Sequence, residues 1–175
     1  MSTPRSIPPA EPGAGRVGVL FVCLGNICRS PLAKWVFMDA AEHAGLTPRL
    51  DIDSCGTGHW HAGGPADPRS TAIAQRFGLA TPHVARQVAP LYDFERFRLL
   101  IAMDRANVHR LLELGAPRDR VRLLRSFDPA LASAPDHARE VPDPYEGTDR
   151  DFEEVYWLIQ RASGGLIEHV RQIGR

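Results

Sequence analysis

The chain has 175 residues, 43% of them hydrophobic, enough for one well-buried domain and short for two. Its 21 basic and 21 acidic residues cancel, which argues against a nucleic-acid binder held by a general positive field. No stretch is apolar enough for a membrane span or for the core of a secretory signal, and three cysteines fit a reducing, cytoplasmic setting better than a disulfide scaffold; export by a route without a signal peptide stays open.

In chain order, residues 1–15, "MSTPRSIPPAEPGAG", have almost nothing to bury and are predicted as a flexible tail ahead of a single domain over 16–175. "RVGVLFV" reads as a buried strand, followed by "SPLAKWVFMDAAEHAG", a helix that Pro31 opens and Gly45 closes. "PRLDIDS" alternates as a strand, "DPRSTAIAQRFG" has helical apolar spacing, and "RLLIAM" is a second buried strand run. "DRANVHRLLELG" is a helix with Asp104 as its N-cap, and "DRVRLLRSF" is expected as a fourth strand. A long helix over "DFEEVYWLIQRASGGLIEHVRQI" ends the chain, loosened at Gly164 and Gly165. Strands alternating with helices predict an α/β fold, a four-stranded parallel sheet covered on both faces. In such sheets ligands bind beyond the carboxyl ends of the strands, where "CLGNICR" follows the first one.

That loop joins a buried strand to a helix N-terminus, where unpaired backbone N–H groups and the helix dipole favour an anion. Gly25 and Asn26 are the residue types that best take left-handed conformations and curl backbone amides inward around a tetrahedral oxyanion. Arg29 is placed to grip two oxygens of such an anion bidentately, and Cys23 beside these positive groups is expected as a thiolate. A thiolate facing a bound phosphate is a nucleophile in position.

The stretch "VCLGNICRSP" resembles the phosphate-binding loop of the low-molecular-weight protein tyrosine phosphatases. "SCGTGHWHAGGPADPRS", "HVARQV", "DFERFRLLIAMDRAN" and "VPDPYEG" have counterparts in the same order, so the resemblance runs from about Gly18 to the C-terminus. It implies Cys23 as nucleophile, Arg29 as phosphate clamp and Asp143 as general acid, with Leu24, Gly25, Asn26, Ile27 and Cys28 lining the phosphate site. It further implies that Trp60 and Tyr145 wall an apolar slot for a phenyl ring, and that Asn26, Ser30, Ser54 and His83 hold the loop in shape. The chemistry asks for the acid independently: a tyrosine leaving group with a pKa of about 10 needs a proton to depart near neutral pH. The same carboxylate then takes a proton from water to hydrolyse a cysteinyl phosphate, with no metal or other cofactor.

Blander readings stand beside these. Asp-Pro also occurs at Asp67 and Asp128 as turn punctuation, Ser30 suits a helix cap, and His83 suits a core histidine. Cys28 is either a buried filler at the helix start or, as the resemblance also implies, a thiol that traps an oxidised Cys23. Two positions depart from the family pattern: Glu146 follows Tyr145 where a second aromatic is frequent, and Cys55 stands where alanine is common. Among rival activities, arsenate reduction lacks the two further cysteines that residues 80–92 would have to carry, and protein-arginine phosphatases have threonine where Ile27 stands. A metal module built on Cys55, His59 and His61 has irregular spacing and no fourth ligand, and a catalytically dead phosphotyrosine-binding module would be expected to lack Cys23, Arg29 or Asp143. The resulting expectation is a monomeric or weakly dimeric enzyme acting on tyrosine-phosphorylated protein or peptide, without nucleic-acid or membrane partners.

Overall fold

The computed structural model describes residues 15–79 and 82–173, so the predicted tail lies, apart from Gly15, outside the described residues. Strand β1 (Val17–Cys23) leads through the Leu24–Cys28 loop into helix α1 (Arg29–His43), then to β2 (Leu50–Gly56) and α2 (Pro68–Arg76). Helix α3 (Pro90–Arg96), β3 (Leu99–Ala102), α4 (Arg105–Glu113), β4 (Val121–Leu123) and α5 (Asp149–Ile173) follow. The four strands form one parallel sheet in the order β2-β1-β3-β4, as the alternation of elements predicts.

Strand β1 is central, and its alternating side chains divide between two cores. Val19, Phe21 and Cys23 face the layer made by α1, α2 and α5, where Leu32, Trp35, Phe37, Val155, Ile159 and Leu166 are buried. Leu20 and Val22 face the other layer with Phe94 of α3, Phe97 and Leu111 of α4. Burial on both sides explains why β1 and β3 read as unbroken apolar runs. It also sends Cys23, the last residue of β1, to the carboxyl edge of the sheet at only 2% exposure.

The structure departs from the sequence reading in three elements. The expected fourth strand pairs only over Val121–Leu123, after which Leu124–Phe127 turns into a 3-10 helix with Leu124 fully buried. Helix α3 has no counterpart in the reading, although Pro90 at its start and Asp93, whose carboxylate accepts the Ala89 N–H at 2.7 Å, are start signals. Helix α5 runs unbroken through Gly164 and Gly165, because its apolar face is held by the core on either side of the pair.

The two glycines have opposite surroundings. A Cβ on Gly165 would lie 1.8 Å from the Phe127 carbonyl oxygen, so the missing side chain is what lets the 3-10 turn after β4 press against α5. A Cβ on Gly164 would meet nothing within 4 Å. Gly164→Ala is therefore expected to stabilise the fold by up to about 1 kcal/mol through helix propensity. Gly165→Ala is expected to cost about 1–3 kcal/mol through overpacking against backbone. Urea denaturation of the two variants checks the opposite signs, and equal shifts would show that the α5 contact with Phe127 does not constrain the fold.

Candidate active site

The loop after β1 wraps around the buried side chain of Asn26. Asn26 is fully buried with φ 57°, the only non-glycine residue with a positive φ among those described, and asparagine tolerates this region better than most side chains. Its backbone N–H points at Cys23 Sγ (3.2 Å), and its side-chain amide donates to Ser30 Oγ (2.9 Å) and Ser54 Oγ (3.0 Å). Its Oδ1 accepts the Arg86 N–H (2.9 Å), and its carbonyl oxygen lies 2.8 Å from His83 Nε2. Gly25, expected in a left-handed conformation, does not adopt a positive φ; its lack of a side chain serves space instead, since a Cβ would lie 3.0 Å from the His61 ring.

Ser30 sits inside the first turn of α1 and does not cap it; the N-cap is Cys28, with no side-chain bond. Ser30 Oγ lies 2.9 Å from Cys23 Sγ and 3.3 Å from the Cys55 carbonyl oxygen, and it already accepts the Asn26 amide. Its own proton is thus directed to the sulfur or to that carbonyl, and toward an anionic sulfur it is the necessary donor. The other two thiols are buried: burial pushes Cys28 and Cys55 well above the ordinary thiol range, with Asp67 adding to the effect at Cys28. Cys55 packs in the core beneath the loop as a small apolar residue, and among the described residues no three metal-ligating side chains converge.

Arg29 is 2% exposed and held from both sides. It donates to Asp104 (2.6 Å), to the Val141 carbonyl (3.1 Å) and to Asp143 (3.1 Å). Burial opposes its charge, but Cys23, Asp143 and Asp104 outweigh burial and hold the guanidinium charged beyond its ordinary strength. Asp104 also caps α4 in a capping box with Asn107, so the cap read from the sequence has a second task that sequence spacing does not reveal. The Asp143 side chain is 46% exposed. It sits on a segment tied at Val141, whose N–H donates to the Met103 carbonyl (2.7 Å).

A second tie comes from the start of α2, where the sequence reads Asp67 only as turn punctuation ahead of a helix. Asp67 caps α2 and pairs with Arg69 (2.9 Å), while its N–H donates to the Ile27 carbonyl (2.8 Å). Arg69 in turn donates to the carbonyls of Tyr145 (3.0 Å) and Gly147 (3.1 Å). The Asp67–Arg69 pair therefore straps the segment bearing Asp143 to the Cys23 loop. Gly56 and Gly58 make room: a Cβ on Gly56 would come 2.7 Å from the Leu24 carbonyl, and one on Gly58 would run into the Trp60 ring.

These elements enclose a cavity of about 140 Å3 with Cys23 and Arg29 at its base and Leu24, Ile27, Trp60 and Tyr145 on its walls. Asp143 and His61 stand at the same cavity, His61 6.3 Å from the Tyr145 ring. Trp60 is 66% exposed and Tyr145 45%, so neither is a core aromatic. Leu24, Gly25, Ile27 and Cys28 all line the cavity, whereas Asn26, Ser30, Ser54 and His83 lie behind it as support.

His83 contacts Trp35 edge-on (6.1 Å between ring centres), and burial pushes its pKa below the ordinary value; the bond with Asn26 opposes the shift and Lys34 adds to it. The folded state thus disfavours the imidazolium relative to the unfolded chain. The stability tied to neutral His83 is complete above about pH 6.5 and is lost as the pH falls through that value toward the lower folded one. His83→Gln keeps an N–H donor for Asn26 and is expected to flatten the difference in stability between about pH 7.5 and 5.5. Denaturant midpoints of both proteins at the two pH values check this, and an unchanged difference would remove His83 from the pH response.

A family model described as low molecular weight phosphotyrosine protein phosphatase matches residues 18–174. A Streptomyces coelicolor protein named low molecular weight protein-tyrosine-phosphatase is 45% identical over 158 residues, 88% of this chain and 93% of that one. The crystal structure of a protein tyrosine phosphatase from Entamoeba histolytica superposes with a TM-score of 0.81 at 32% identity, covering 89% of this chain and 97% of that one. A Drosophila arginine phosphatase superposes with a TM-score of 0.77 at 26% identity, covering 87% and 96%. With the loop, its support and the acid-bearing segment in place, the chain belongs to the low molecular weight phosphotyrosine protein phosphatases.

Proposed function

We propose that the protein hydrolyses phosphotyrosine in protein substrates in two steps through a cysteinyl phosphate. The observation that carries this reading is the convergence, in one cavity, of Cys23 hydrogen-bonded at its sulfur, the buried Arg29 and the half-exposed Asp143. The substrate phosphate enters the curl of the loop, with its ring between Trp60 and Tyr145. Arg29 binds two of its oxygens and stabilises the charge that builds on them in the transition state. Cys23 Sγ attacks phosphorus as the bond to the tyrosine oxygen breaks, and protonated Asp143 delivers its proton to that oxygen. Water then attacks the phosphocysteine, giving its proton to Asp143, and the sulfur leaves as the thiolate. The donors from Ser30 and Asn26 favour that anionic sulfur at the start and end of the cycle.

In the ligand-free protein Asp143 rests on the guanidinium that the substrate requires. The incoming phosphate replaces it there; the half-exposed carboxylate, freed of the guanidinium and now beside the phosphate's charge, takes a proton from solvent and turns to the leaving oxygen as the carboxylic acid. Apolar walls rather than additional cations surround the entrance, a setting for a phenyl ring. Ile27 favours the aryl substrate over phosphoarginine, since a branched alkyl group offers no polar partner to a guanidine.

Hydrolysis of aryl phosphates is expected to persist in chelator and to disappear in Cys23→Ser. Asp143→Asn is expected to slow phosphotyrosine turnover by about 10²- to 10⁴-fold, and less for esters with better leaving groups. Steady-state rates across a series of aryl phosphates check both; an equal loss for every leaving group would remove Asp143 as proton donor, and an active serine variant would overturn the mechanism. Ile27→Thr is expected to raise the activity ratio of phosphoarginyl to phosphotyrosyl peptides, and a fixed ratio would show that another residue selects the substrate.

A further inference from the structure

The residue immediately before every strand of the sheet is arginine: Arg16 before β1, Arg49 before β2, Arg98 before β3 and Arg120 before β4. Because the strands are parallel, all four emerge at the amino edge of the sheet, the pole opposite the Cys23 loop. Neighbouring strands lie about 4.8 Å apart, so this order sets guanidinium-bearing residues side by side across the molecule. At this pole a cavity of about 460 Å3 opens, lined by Arg16, Arg98, Arg120 and Arg122 together with Arg96 and His169.

The cluster is unusual in how its charge is left. Arg29, Arg69, Arg86 and Arg96 are among the ten of the eighteen described arginines that hold a carboxylate within 4.0 Å. Arg16, Arg98, Arg120 and Arg122 have no such partner among the described residues. Three of them are oriented by carbonyls instead: Arg16 donates to Pro48 (3.1 Å), Arg120 to Phe94 (2.8 Å) and Arg122 to Val121 (3.0 Å). The Arg122 charge reaches His169, whose pKa is pushed below the ordinary value first by burial and then by that guanidinium. Glu95 and Asp119 line the same cavity without pairing with these arginines, so the four unpaired guanidiniums outnumber the unpaired carboxylates.

Guanidinium groups brought together in excess over carboxylates repel one another, and a planar fork matches phosphate oxygens bidentately. We propose that this cavity binds a multiply phosphorylated anion, at a site separate from the Cys23 loop. A single phosphate would engage one or two of the arginines, whereas two or more linked phosphates span the row and relieve its repulsion. The shared chemistry fits a soluble polyphosphate ester or the polyphosphorylated headgroup of a lipid.

The test uses the full chain, inorganic tripolyphosphate and the double variant Arg98→Ser/Arg122→Ser, neither position being part of the Cys23 site. Calorimetry counts the bound anions and does not depend on the reaction proposed above, while competitive inhibition of aryl phosphate hydrolysis reads the Cys23 loop alone. The parent is expected to bind at two sites, one of them weakening steeply with added salt. The double variant should lose that site, with affinity reduced about 10²-fold or more, and keep its turnover and inhibition constant. Co-sedimentation with vesicles containing phosphatidylinositol bisphosphate that is lost in the variant and reversed by tripolyphosphate would assign the phosphates to a lipid. Tripolyphosphate binding without vesicle association would assign them to a soluble anion. A single site in the parent, competitive with aryl phosphate, or two sites surviving in the double variant, would overturn the proposal.

Discussion

Everything at the carboxyl edge of the sheet depends on keeping Asn26 buried in a left-handed conformation. That backbone state costs most residues about 1–2 kcal/mol, and burial of an amide without partners costs more. Here each polar atom of Asn26 finds a partner, drawn from β1, α1, β2 and the 83–86 segment. The same bonds aim one backbone N–H at Cys23 Sγ and supply Ser30 with an acceptor role that leaves its proton for the sulfur or the Cys55 carbonyl. Loop geometry and sulfur environment are therefore one constraint, in which an apolar replacement at Asn26 would strand donors and acceptors on several elements at once.

Ion pairs extend that constraint outward. Asp53 accepts both Lys34 of α1 and Arg86 of the segment that supports Asn26, and Arg86 continues to Asp93 of α3. Lys34, Arg86 and the groups around Asp53 outweigh its burial and hold that carboxylate below its ordinary pKa. Asp67 and Arg69 do the same work between the loop and the Tyr145 segment. A chain with no net charge is thus strongly polarised within: Arg29, Arg69 and Arg86 near the loop are paired with carboxylates, whereas Arg16, Arg98, Arg120 and Arg122 at the amino edge of the sheet are not.

The parts of this arrangement that the sequence made legible are local ones. The β1–loop–α1 run, the Asp104 cap and the apolar stripe of α5 each lie within a short window, where strand or helix period and capping chemistry speak directly. Asn26, Ser30 and Cys23 were also placed together, because the loop that joins them is short. What stayed hidden crosses the fold. Arg29 meets Asp104 75 residues away, and Arg69 meets Tyr145 76 residues away, separations over which no local spacing carries information. The apolar run to Phe127 predicts a longer β4, and Gly164 and Gly165 predict a loosened α5; the space at Gly165, which receives the turn that ends β4, lies in neither local pattern. Gly25 is a related case, its freedom of φ being unused and its small size needed.

Arg29 shows how the two scales meet. Buried at 2%, it needs counter-charge in the resting protein, and Asp104 alone provides a fixed, capped carboxylate on one side. The other side is covered by Asp143, on a half-exposed segment that can yield. In the proposed reaction the phosphate takes over exactly the role the second carboxylate had, so the buried guanidinium is never left with a single partner. A lysine there would offer neither the second face nor the planar fork, and would leave Asp104 or the phosphate poorly served. The fixed carboxylate and the yielding one are therefore different in kind: in the proposed cycle Asp104 keeps the Arg29 guanidinium charged and oriented throughout, and Asp143 can exchange its ion pair for the leaving oxygen only because Asp104 does not.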